Sequence, residues 1–66
     1  MKIHYDAKDD AVYIEFTKGK YEVSRKISDS VVVDEDKDGK VLGIEILDAS
    51  ENISSFDPKK LTIQTA

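Results

Sequence analysis

Val31-Val32-Val33-Asp34-Glu35-Asp36-Lys37-Asp38-Gly39-Lys40-Val41-Leu42-Gly43-Ile44-Glu45-Ile46 sets two apolar runs around the most polar segment of the chain. A tight turn between twisted strands needs positive φ at its central residues, and Asp38-Gly39 is a strong signal for one. A two-residue turn there places Val33 opposite Ile44 and Val31 opposite Ile46, with Leu42 on the same face. Turn chemistry and apolar alternation then agree, which predicts a hairpin in a definite register. Gly43 stands inside the returning strand, where a bulge or a close backbone approach would explain the missing side chain.

The same period of two extends in both directions. Met1, Ile3 and Tyr5 alternate with Lys2, His4 and Asp6, and Val12, Ile14 and Phe16 alternate with Tyr13 and Glu15. The polar turn Ala7-Lys8-Asp9-Asp10 joins them as a second hairpin. After Lys18-Gly19-Lys20 the alternation resumes through Tyr21, Val23 and Ile27, interrupted on its apolar side by Arg25, and Ser28-Asp29-Ser30 leads into Val31. Beyond Leu47 the period changes. Asp48 is a candidate N-cap with Glu51 three residues later, the reach of a capping box, which predicts one short helix near residues 48 to 54. Asp57-Pro58 marks a turn, and residues 59–65 alternate as a last strand. The fold class is α+β and mostly β: one domain over residues 1–66, an antiparallel β-meander of five to six strands with the helix on one sheet face.

Composition narrows function. The chain has 66 residues, 39% of them hydrophobic and 36% charged. Seven Ile and six Val make up half of its 26 hydrophobic residues, a β-branched bias that suits sheet. A net charge of -4 and a pI near 4.8, without a basic run, argue against direct nucleic-acid binding by phosphate neutralisation. The chain has no cysteine, which excludes disulfides, thiol catalysis and thiolate metal sites. No apolar stretch suggests a signal peptide or a membrane span, so the expected location is the cytoplasm, with no membrane partner.

The sharpest motif is Asp34, Asp36, Asp38, Gly39 and Glu45, the spacing of an EF-hand calcium loop. Alternate carboxylates and a distant Glu supply hard oxygen ligands, and the glycine permits the sharp turn. Asp34, Asp36, Asp38 and Glu45 are thus candidate calcium ligands, and calcium is the one cofactor the sequence suggests. Against this, an EF-hand loop lies between helices, whereas both flanks here read as strands. The alternative is a solvated hairpin tip whose charges discourage edge aggregation. His4, the sole histidine, shares the polar face of its strand with Lys2 and Asp6. Carboxylate pairs such as those among Asp9, Asp10, Glu15, Glu45 and Asp48 need an enclosing cleft to separate their pKa values, and a chain this small offers little. With no nucleophile elbow and no phosphate loop, the expectation is a protein that is not an enzyme. A hydrolase site formed around His4 at a dimer interface is the remaining enzymatic reading.

Tyr13 falls on the strand face opposite Val12, Ile14 and Phe16. With Val32, Val41 and Leu47 it forms a second, partly apolar face, which suggests either a partner surface made of Tyr13, Val32 and Val41 or a face covered by the chain's own helix or last strand. Tyr5 and Tyr21 are expected at the edge of the core. A domain this short buries only about 60% of its unfolded surface, and without disulfides it leans on association. A homodimer is the expected state.

Lys2-Ile3 to Tyr5-Asp6, Asp10-Ala11-Val12-Tyr13-Ile14, Val33-Asp34 to Asp38-Gly39, and Val41-Leu42-Gly43-Ile44-Glu45-Ile46-Leu47-Asp48-Ala49-Ser50 together resemble the small prokaryotic family called domain of unknown function 2283 (DUF2283). The resemblance spans about residues 1–53, and its Gly-Ile-Glu-Ile-Leu-Asp-Ala segment is the most specific part. It implies no catalytic residue, and a structural role for its motif: Asp10 ordering the first hairpin, Asp38 and Gly39 making the second turn, Asp48 starting the helix. Some relatives are thought to lie beside small toxin-like ribonucleases, so the resemblance also implies an antitoxin-type binding protein. The resulting expectation is an interaction module that homodimerises or docks a small basic partner, with calcium binding as the alternative.

Overall fold

A computed structural model describes residues 1–60, 62, 63 and 65. Its strands are β1 (Lys2–Asp6), β2 (Ala11–Glu15), β3 (Val23–Lys26), β4 (Val31–Glu35) and β5 (Val41–Ile46), followed by one helix, α1 (Ala49–Asn52). They form a single antiparallel sheet in the order β1-β2-β5-β4-β3. β3, β4 and β5 make a meander, and the β1–β2 hairpin joins it through β2 and β5. The expected closing strand over residues 59–65 includes Leu61 and Gln64, which lie outside the described residues; Lys59, Lys60, Thr62 and Ile63 belong to no strand.

The central hairpin has the register its alternation predicts, Val33 opposite Ile44 and Val31 opposite Ile46. The turn itself corrects the two-residue expectation. Asp36 donates its amide to the Lys40 carbonyl (2.9 Å) and Gly39 donates to Asp36 (3.0 Å), so three residues, Lys37 to Gly39, make the loop. Gly39 sits at φ 79°, the left-handed conformation that such a loop requires and that glycine adopts without strain. The register slips between Asp34 and Glu35, where β5 carries one extra residue at Leu42. The longer loop and the bulge are one-residue offsets that cancel.

The bulge has a use. The Leu42 carbonyl accepts the amides of Phe16 (2.9 Å) and Thr17 (3.3 Å), and the Leu42 side chain lies against Gly19 so closely that a Cβ there would come within 2.8 Å of it. Leu42 therefore seats the connection that carries the chain from β2 to β3 across the end of the sheet.

One face of the sheet is apolar. Tyr5, Val12, Ile46 and Val31 form one row across β1, β2, β5 and β4; Ile3, Ile14, Ile44 and Val33 form the next. Arg25 continues that second row onto β3 and pairs with Glu35 at 3.0 Å. Tyr5 meets Phe56 edge-on, ring centroids 5.1 Å apart, which brings the segment after α1 over this face. Tyr21, expected at the core edge, is 61% exposed, because β3 begins two residues after it. Among the described residues the buried hydrophobic set is Val12, Leu42 and Ala49.

The helix is capped from a distance. Asp48 is the N-cap residue, at φ 49°, but its side chain makes no capping bond, contrary to the capping-box expectation. The capping acceptor is Asp10, itself at φ 50° in the β1–β2 turn. Its carbonyl accepts the Ala49 amide (2.8 Å) and its carboxylate accepts the Ser50 amide (3.2 Å) and hydroxyl (2.6 Å). Tyr5 donates its hydroxyl to the same carboxylate (2.9 Å). One aspartate thus ties the first hairpin, the apolar face and the helix together.

Candidate functional site

The opposite face of the sheet follows from the same registers. His4 pairs with Tyr13, Tyr13 with Glu45, Glu45 with Val32, and Val32 with Lys26, a row that runs across all five strands. Antiparallel partners share a face, so these five side chains stand on the side that the Tyr5–Phe56 contact leaves uncovered. Beside the row lies a shallow groove of about 410 Å³. Ala11, Tyr13 and Leu47 form its apolar floor, and His4, Asp6, Asp9 and Glu45 its polar rim.

Tyr13 is held in one pose. Its hydroxyl donates to Asp34 Oδ2 (3.2 Å), and Ser24 donates to Oδ1 of the same carboxylate (2.6 Å). To reach Asp34 the ring crosses Gly43, where a Cβ would approach the Tyr13 Cζ to 2.6 Å and the Ile14 carbonyl to 2.8 Å. The bulge and the close approach expected at a glycine in this strand are both present, the bulge at the adjacent Leu42. Burial raises the Tyr13 pKa above the ordinary 10.0, and the negative charge and hydrogen bond of Asp34 push it further the same way. Tyr13 is thus a neutral donor at physiological pH.

Of the residues expected to form a partner surface, Tyr13 and Val32 share this face, on either side of Glu45. Val41 does not join them. Beyond the bulge it stands opposite Glu35, in the alternation that carries Val33 and Val31 on the other face, because one extra residue inverts the side a strand presents.

The expected calcium ligands are spread apart. Asp34 is engaged by Tyr13 and Ser24, and Glu45 stands in the middle of the sheet face. Asp36 turns its Oδ1 inward to accept the amides of Asp38 (2.9 Å) and Lys40 (3.0 Å). Among the described residues no group of three or more His, Asp or Glu side chains is arranged to hold a metal ion. The hairpin uses Asp36, the residue that precedes its three-residue loop, to order its own backbone.

His4 lines the groove without a side-chain hydrogen bond among the described residues, and the Tyr13 hydroxyl beside it is turned away to Asp34. What the groove offers is an apolar floor, a fixed aromatic ring and three carboxylates. Ala11 was not singled out from the sequence, and Asp9 only as one of several carboxylates that a cleft could pair. The parity of Ala11 with Tyr13 could have placed it here, whereas Asp9 reaches the rim through the shape of its turn, in which Asp6 accepts the amides of Lys8 (3.0 Å) and Asp9 (3.3 Å).

Comparison with known proteins adds one match. The profile of a family described as protein of unknown function (DUF2283) matches residues 2–50. No significant match was found among the curated proteins or the solved structures.

Proposed function

Because this chain belongs to the DUF2283 family of proteins of unknown function, we propose from its geometry that it is a non-enzymatic protein–protein interaction module, which docks a small basic partner in the cytoplasm. The groove on the uncovered sheet face supports this reading. Its floor of Ala11, Tyr13 and Leu47 suits the aliphatic stem of a Lys or Arg, and Asp6, Asp9 and Glu45 suit the charged end. The Tyr13 ring, pinned by Asp34, adds a cation–π surface at little further entropic cost. A second copy stacked on this face would set acidic rim against acidic rim, so charge favours a basic occupant. The chain's net charge of -4 would speed the encounter more than it would fix its affinity. An antitoxin that covers a basic ribonuclease would use such a surface. Among the described residues no helix is long and apolar enough to cross a membrane.

Calorimetric titration with an oligolysine peptide tests the reading. Binding should weaken steeply with added salt and be lost in Glu45→Lys and Asp9→Lys. No binding by the unaltered chain, or binding by the two variants as tight as its own, would remove the groove as the docking surface.

A further inference from the structure

We infer that β1 is a homodimerisation edge, pairing antiparallel with β1 of a second copy about a two-fold axis through His4. β1 is an outermost strand of the sheet, and among the described residues nothing pairs with its outer side. Exposed edges of this kind are templates for further strand pairing unless the sequence blocks them. Here the sequence is self-complementary. Antiparallel pairing centred on His4 places Lys2 opposite Asp6 of the second copy and Ile3 opposite its Tyr5, each twice by symmetry.

Both kinds of pair fall on the correct face. Lys2, His4 and Asp6 are exposed and share the groove face, whereas Ile3 and Tyr5 are half-buried on the apolar face. The dimer therefore joins apolar surface to apolar surface and acid to base across the seam. Asp6 is able to take part, since both backbone amides that it accepts end on Oδ1 and neither on Oδ2.

The other edge is less suited. A symmetric β3 pairing that keeps its faces aligned and pairs at least three of its residues sets either Arg25 against Arg25 or Val23 against Arg25, and Arg25 already serves Glu35 within its own chain. The β1 pairing makes a continuous sheet of two copies and brings their two grooves side by side, since His4 and Asp6 line the groove. It shares Asp6 with the groove but does not require the groove to be occupied.

The chain lacks cysteine, so His4→Cys carries a single thiol. In the proposed register the two His4 Cα atoms stand about 4.5–5.5 Å apart, within disulfide range. Under mild oxidation His4→Cys should become a covalent dimer much faster than Ser24→Cys, which places the thiol on β3. In sedimentation equilibrium of the full chain, Lys2→Glu should raise the dissociation constant at least about fivefold, and Lys2→Glu with Asp6→Lys should restore it. Faster cross-linking of Ser24→Cys, a monomer at every concentration, or a Lys2→Glu dimer as tight as the unaltered one would each overturn the assignment. None of these readouts depends on the oligolysine titration, so the two proposals fail separately.

Discussion

The ring of Tyr13 lies across the bare backbone of Gly43, and the missing side chain of one residue is what allows the other to reach Asp34. A cross-strand neighbour two positions away thereby fixes the one large aromatic side chain of the open face. Gly43→Ala should cost more than about 2 kcal/mol in urea denaturation, since its methyl meets both the ring and the Ile14 carbonyl. Removing the ring in Tyr13→Ala/Gly43→Ala should recover only part of that loss, because the carbonyl cannot move away.

Tyr13 also has a predictable alkaline behaviour. Its folded pKa lies above the ordinary 10.0, so its contribution to stability is complete below that value and disappears as pH rises through the folded one. Stability followed from pH 9 upward should fall more steeply in the unaltered chain than in Tyr13→Phe, which itself costs about 1 kcal/mol at neutral pH. Parallel curves would mean that the phenol titrates freely.

Asp10 governs the acid side. The Ser50 hydroxyl, and after it the Tyr5 hydroxyl, hold its carboxyl below the ordinary 3.8, so its contribution is present above that value and is lost as pH falls through the folded pKa. Asp10→Asn should lower the urea midpoint clearly at neutral pH, and the gap to the unaltered chain should narrow as pH falls below 3.8. A gap that stays constant would place the effect in the backbone conformation of residue 10.

The hairpin tip separates backbone geometry from metal binding. Gly39→Ala introduces a Cβ into open space at φ 79°, so it should cost about 1 kcal/mol through conformation alone, and Gly39→Asn less. Millimolar calcium should leave the melting temperature of the unaltered chain in place, because Asp36 is turned toward the amides of Asp38 and Lys40. A calcium-dependent rise that Asp36→Asn removes would restore the calcium loop as a binding site.

Short windows of the chain carry the part of the fold that is legible before folding. Alternation located all five strands, and the paired apolar runs set Val33 against Ile44, because a one-residue slip would turn every apolar side chain of a strand to water. The same pattern separated Tyr13, Val32 and His4 from the core, and composition marked Asp38-Gly39 as a turn. The rest depends on contacts between distant segments. The pairing of β2 with β5 spans about 30 residues of chain and depends on how the connection crosses over Leu42. The bulge that turns Val41 away from Tyr13 is invisible where a three-residue loop compensates it, since the two offsets leave the local pattern intact. The helix cap is supplied by Asp10 across a separation of 40 residues, while the locally well-placed Asp48 makes no such bond. Local periodicity reports which face a residue must take; which distant group it meets there depends on chain closure, and that is settled only when the sheet is complete.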